Sequence, residues 1–141
     1  MNWMKRVLLG FGLSLICMTC CEALSPEANS GSDRDRLGAV KIDLNATVLD
    51  YVSCVDGDKT DWKYFSVPFE TRIAVTFAFD DPASGGTLEI FKATGEKMFE
   101  LPFVRGSRMT QEFDAVPGHY YLKLYCETLK SEYTVEVSIP Q

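Results

Sequence analysis

Apolar and polar residues alternate with a period of two through most of this chain. Ile73, Val75, Phe77 and Phe79 are separated by Ala74, Thr76 and Ala78. Tyr120, Leu122, Leu124 and Cys126 are separated by Tyr121, Lys123 and Tyr125. Tyr133, Val135, Val137 and Ile139 are separated by Thr134, Glu136 and Ser138. Side chains on a strand point alternately to opposite faces, so each stretch predicts a strand with one buried and one wet face. Shorter stretches of the same character predict strands over residues 47–54, 62–67, 87–92, 97–101 and 108–113. Turn formers separate them: Asp56-Gly57-Asp58, Pro82 to Gly86, Thr94-Gly95, Arg105-Gly106-Ser107 and Pro117-Gly118. No segment beyond residue 38 carries the spacing of a long amphipathic helix. About eight short strands divided by turns predict an all-β domain, an antiparallel β-sandwich.

The first 38 residues break this pattern. Lys5 and Arg6 precede an apolar run over residues 7–16, and Cys17, Thr19, Cys20, Cys21 and Ala23 follow it. Charge, then apolar residues, then small ones is the order of an export signal. The run falls short of the roughly 20 residues a membrane-spanning helix needs. Residues 1–21 are therefore expected to direct export, in a bacterium. Cys20 or Cys21 is the expected site of lipidation, which would hold the protein in the cell envelope, at the periplasm or outer membrane. The competing expectation is simple cleavage after Ala23 and secretion, since Cys21 and Ala23 are both small. Residues 22–38 are rich in Ser, Gly and alternating Asp-Arg, with too little apolar surface to order themselves, and read as a flexible tether. Residues 39–141 form the domain, a size that buries a real core.

Charge narrows the partners. The whole chain carries −6. Without Lys5 and Arg6 the 14 cations fall to 12, against 20 anions, and the net charge becomes −8. No basic cluster interrupts this balance, which disfavours nucleic acid and anionic lipid surfaces as ligands. Two cysteines, Cys54 and Cys126, lie in the domain. An even pair in an exported chain points to a disulfide. Two separate buried thiols are the alternative. With one histidine and two distant cysteines, a zinc site lacks ligands.

Four segments resemble one family. Asp61-Trp62-Lys63-Tyr64-Phe65-Ser66-Val67-Pro68 is similar to a D-x-D-x-F-x-V strand. Residues 86–95 (GTLEIFKATG) are similar to a G-D-L-D-L-x-L-x-D-x-x-G hairpin. Pro117-Gly118-His119-Tyr120-Tyr121-Leu122-Lys123-Leu124 is similar to P-G-x-Y-Y-V-x-V. Residues 131–137 (SEYTVEV) are similar to a closing x-Y-x-L-x-V strand. In this order and spacing, over residues 46–139, they resemble bacterial pre-peptidase C-terminal domains. The resemblance implies a jelly-roll-like sandwich. It also implies kinship with domains found at the ends of secreted peptidases, some of which, in collagenases, bind collagen and calcium. This chain departs from the pattern at Thr87 and Glu89, where the hairpin carries aspartates, and no peptidase is attached.

Little in the chain points to catalysis. His119 is the one histidine and follows Pro117-Gly118 in a turn. No Gly-x-Ser-x-Gly elbow is present, so no enzyme is expected. Asp56, Asp58 and Asp61 offer oxygens that could reach calcium, but the residue twelfth in that loop is Val67 rather than Glu, which rules out an EF-hand. No other cofactor is expected. Tyr51, Tyr64, Tyr121 and Tyr125 are candidates for an exposed aromatic stripe that binds sugar or protein. The expected function is a non-enzymatic binding or structural module of the cell envelope, contacting protein or polysaccharide and attached to the membrane by its N-terminal lipid. The alternative is a targeting domain for a secreted peptidase or other hydrolase encoded as a separate chain.

Overall fold

The computed structural model describes residues 31–103 and 107–141. The export segment, Cys20, Cys21 and the Arg105-Gly106 part of one expected turn lie outside these residues. Nine strands follow a three-residue 3-10 turn, Arg36–Gly38. They are β1 (Val40–Lys41), β2 (Ala46–Ser53), β3 (Thr60–Val67), β4 (Thr71–Phe79), β5 (Gly85–Lys92), β6 (Lys97–Pro102), β7 (Met109–Ala115), β8 (Gly118–Thr128) and β9 (Lys130–Ser138). One sheet has the order β1-β3-β8-β5-β6 and the other β2-β9-β4-β7. Apart from the short parallel pair β1–β3, every pairing is antiparallel. The chain switches sheets at most connections, which is the winding of a jelly roll. The eight strands expected from the alternation are all present. The ninth, β1, is two residues long, too short to show a period.

The alternation becomes burial directly. Inward residues of one sheet, among them Phe65, Leu88, Ile90, Leu122 and Leu124, meet Ile73, Val75, Phe77, Val135 and Val137 of the other. Each is essentially solvent-free, and burying a side chain of this kind is worth about 1.5–3 kcal/mol. Tyr120 fills the core with its ring, stacked 5.5 Å from Phe65. Its hydroxyl accepts from the Val116 N–H at 3.0 Å and donates to the Val116 carbonyl at 3.1 Å. The two-residue link between β7 and β8 is pinned there. Gly118 opens β8 at φ +152°, a conformation a side chain would strain.

Residues 31–38, the end of the expected tether, lie against the domain. Polar contacts hold them: the Trp62 N–H donates to the Asp33 carbonyl at 2.7 Å, and Asp33 Oδ2 meets Lys63 Nζ at 2.6 Å. The Asp35 carboxylate accepts from the N–H groups of Leu37 and Gly38, closing the 3-10 turn. Low apolar content alone does not signal this kind of docking.

Candidate functional site

The even residues of β3 and the odd residues of β8 and β5 point outward from the five-stranded sheet. Cross-strand register arranges them in rows. Ser66 lies beside His119. Tyr64, Tyr121 and Phe91 form the next row, then Trp62, Lys123 and Glu89, then Thr60, Tyr125 and Thr87. The rings touch across the rows. Tyr64 and Tyr121 are 5.9 Å apart between centroids, and Trp62 leans across β8 to reach Phe91 at 5.3 Å. His119 and Tyr64 make a T-shaped pair, 5.9 Å between centroids. Three of the four tyrosines singled out in the sequence, Tyr64, Tyr121 and Tyr125, share this face. Tyr51 does not: its strand, β2, belongs to the other sheet, and its hydroxyl lies 3.4 Å from Asp56 Oδ2. Trp62 and Phe91 complete the face. Their parity with Tyr64 and with Glu89 is visible in the sequence.

Cations accompany the rings. The Arg36 guanidinium sits 4.1 Å above the Tyr121 ring and donates to the carbonyls of Ala93 and Lys92. Lys123 Nζ lies 5.5 Å from the Tyr125 centroid and 3.1 Å from Glu89 Oε2. Lys97 Nζ meets Glu89 Oε1 at 3.0 Å. Partial burial alone would raise the Glu89 carboxyl, but these two ammonium groups outweigh it and hold it below the usual carboxylate range. The face thus joins flat apolar rings with fixed, paired charges.

At one end of the face Ser66 Oγ and His119 Nδ1 are 2.8 Å apart. A serine beside a histidine is the start of a nucleophilic site. Among the described residues no carboxylate is bonded to His119, so nothing orients it as a base. The contact holds the imidazole nearly perpendicular to the Tyr64 ring. A neighbouring hollow of about 210 Å³ lies between Ala93, Thr94, Val116, Pro117 and His119.

A second cluster lies inside, at the side of the sandwich. Asp61 and Lys63 share the inward parity of Phe65 and Val67, and Asp50 shares that of Val48 and Val52. Lys63 is 1% exposed. Its ammonium donates to Asp33 and Asp50 and lies 3.9 Å from Asp61 Oδ2. The Tyr133 hydroxyl donates to Asp61 Oδ2 at 2.5 Å. Burial pushes the Asp61 carboxyl up to about 7, against the lowering pull of Tyr133 and Lys63. Burial also raises the Tyr133 hydroxyl, reinforced by Asp61. For Lys63 burial acts to lower the ammonium, but its bonds to Asp33 and Asp50 prevail and raise it.

Asp61 therefore stands apart from the other two calcium candidates. Ser53 Oγ donates to Asp56 Oδ2 at 2.7 Å, while Asp61 points into the sandwich. Among the described residues the carboxylates that converge within 4.8 Å are Asp33, Asp50 and Asp61. They do not fit calcium as they stand, because the Lys63 ammonium already occupies the position a cation would take among them.

Cys54 and Cys126 are both thiols in this structure and lie together. Cys54 Sγ donates to the Cys126 carbonyl at 2.7 Å. Burial pushes the Cys126 thiol up to about 12, and contact with Cys54 adds to the rise. The pair sits where the end of β2 meets the end of β8, one from each sheet.

No family model matches the chain, and no curated protein matches it. Among solved structures, the fold is similar to the pre-peptidase C-terminal domain of collagenase from Bacillus anthracis. That likeness covers 70% of this chain and 93% of the other, with a TM-score of 0.61 and 24% identity. The Yersinia pseudotuberculosis-derived mitogen matches over 68% of this chain and 86% of its own, with a TM-score of 0.49 and 9% identity. PliG of Salmonella Typhimurium, a periplasmic inhibitor of g-type lysozyme, matches over 72% and 99%, with a TM-score of 0.44 and 15% identity. These are likenesses of fold.

Proposed function

We propose that this chain is an exported, non-enzymatic binding module of the bacterial cell envelope. It is anchored by lipid at Cys20 or Cys21 and contacts protein or polysaccharide through the aromatic face of its five-stranded sheet. The observation that carries this reading is the face itself. Trp62, Tyr64, Phe91, Tyr121 and Tyr125 lie side by side on one sheet surface, with Lys123 fixed among them. Trp, Tyr and Arg are the residues that dominate interface energies, because they bring large contact area at low entropic cost. The four motifs resembling pre-peptidase C-terminal domains fall on β3, β5, the start of β8 and β9, and membership of that family is part of the proposal.

The test replaces Trp62 and Tyr64 by alanine in the full chain and places a photo-crosslinker at Phe91. Wild type is expected to crosslink to an envelope component, or to co-sediment with purified peptidoglycan sacculi. The double variant should weaken that capture by at least about tenfold, since one such anchor is worth 2 kcal/mol or more. Tyr51→Ala, on the other sheet, should leave it unchanged. Equal capture by all three proteins refutes the reading.

The likeness to a collagenase domain favours a second reading, a targeting domain that serves a separate hydrolase chain. The identity of the crosslinked partner separates the two: a secreted hydrolase supports the second.

A further inference from the structure

We propose that residues 31–41 form a detachable strap that masks the Tyr121 centre of the aromatic face, giving that face a closed and an open state. The consequence for ligands rests on the binding reading above; the strap itself does not.

Its attachment is polar throughout. No side chain from residue 31 to residue 41 is buried, and Leu37 is fully exposed. The first core side chain is Ile42. Before it, the segment holds on through the Asp33 carbonyl at the Trp62 N–H, the Asp33–Lys63 ion pair, the Arg36 bonds to Ala93 and Lys92, and two residues of pairing with β3. Segments with few buried apolar contacts open locally, well below the free energy of global unfolding. Lifting this one leaves no buried charge alone, because Lys63 keeps Asp50 and Asp61 as partners.

What it covers is specific. Tyr121 is the middle ring of its row, with Tyr64 on one side and Phe91 on the other. The Arg36 guanidinium lies over it. A partner side chain or sugar ring cannot stack on Tyr121 until Arg36 leaves. The same movement frees the Trp62 N–H on the edge of β3, while the Tyr64 carbonyl keeps its bond from the core residue Ile42. The strap also joins the domain to residues 22–30, so a pull on that segment acts on the strap first.

Gly38 gives an independent handle. A Cβ there would run into the Ser32 carbonyl, so alanine cannot be accommodated in the closed turn, and the atoms it meets, in Ser32 and Asp33, belong to the strap rather than to the face. The experiment uses tetranitromethane on the exported protein, with nitration of Tyr121 measured relative to Tyr125 by peptide mass spectrometry. Both Arg36→Ala and Gly38→Ala should raise the Tyr121 to Tyr125 ratio by at least about fivefold, the first because it removes the cover itself and the second because it shifts the intact strap toward its open state. In the wild type the Trp62 amide should exchange hydrogen faster than the core Val135 amide, at least about tenfold, through local opening. An unchanged nitration ratio in either variant overturns the inference. So does a Trp62 amide that exchanges only as fast as Val135, which would make the strap part of the core. If the ratio moves as expected while Trp62 and Tyr64 replacement leaves capture unaltered, the strap stands and the binding reading falls.

Discussion

Replacing Lys63 by methionine keeps most of the side-chain volume and removes the charge. The ammonium is 1% exposed and sits 2.6 Å from Asp33 and 3.9 Å from Asp61, with Asp50 also bonded to it. At an effective dielectric of about 20 those two distances correspond to about 6 and about 4 kcal/mol of attraction. Much of that is offset by the several kcal/mol needed to strip water from the ammonium. After the substitution nothing offsets the anions. Three carboxylates converge within 4.8 Å, one of them buried. Removing one partner of a buried pair costs about 3–5 kcal/mol. Asp61 has an escape, since burial already holds its carboxyl near 7 and a proton neutralises it. We therefore expect urea unfolding to show a loss of about 3–5 kcal/mol at about pH 8, shrinking to about 1–2 kcal/mol at about pH 5. Adding Asp61→Leu to Lys63→Met should recover about 2 kcal/mol at the higher pH, because the pair is then replaced by apolar groups. A loss below about 1 kcal/mol at pH 8, or one that does not shrink on acidification, refutes the reasoning.

Three further outcomes are expected. The folded Asp61 pKa of about 7 lies above its ordinary 3.8, so the folded chain holds a proton the unfolded chain has released. This contribution to stability is full below that ordinary value and is lost as pH rises through about 7, by up to about 4 kcal/mol. Asp61→Asn should remove it, and parallel stability curves for the two proteins would sink the assignment. For the cysteines, we expect exported protein, denatured without reduction, to resist thiol alkylation, because the adjacent pair oxidises outside the cytoplasm. A bond closing so long a loop adds about 4 kcal/mol in the chain-entropy model. In the reduced native protein Cys54 should alkylate before the buried Cys126, and full labelling of unreduced material excludes the bridge. Mass spectrometry of membrane-extracted protein should find lipid on Cys20 or Cys21, and a mature chain beginning at Leu24 with an unmodified amine would rule it out.

The sandwich was legible because its strands are half buried. Wherever one face must be apolar and the other wet, the period of two is written into the residues, as at Ile73, Val75, Phe77 and Phe79. The ring of Tyr120 in the core, with its hydroxyl reaching the β7–β8 link, follows from the same parity. The aromatic face was half legible. Tyr64, Tyr121 and Tyr125 show by parity alone that they point outward, but which outward residues share a sheet depends on strand order. That is long-range information, and it sets Tyr51 apart. The charge cluster was written less openly. Asp61 and Lys63 stand on the buried parity of β3, and Asp50 on that of β2, so three charged residues on inward positions was a readable signal. Asp33 was not readable, since a polar segment docked through carbonyls and one carboxylate has no hydrophobic period.

One strand carries both halves of this chemistry. Along β3, Asp61, Lys63, Phe65 and Val67 face the interior, while Trp62, Tyr64 and Ser66 face out. A register slip of one residue would push the two charges into solvent and bury Trp62 and Tyr64 against the core. The Lys63 cluster therefore works against misregistration: its ammonium finds Asp33 and Asp50 at one register and neither at the next, while Asp61 moves with it on the same strand. It also fixes the strap, because Asp33 belongs to it. The backbone of Trp62, the neighbouring residue, meets the same segment through the Asp33 carbonyl. Stability at the side of the sandwich, closure of the strap and presentation of the outer rings thus meet within Asp61, Trp62, Lys63 and Tyr64. A substitution that loosens the cluster is expected to change the face as well, even though no cluster side chain reaches it.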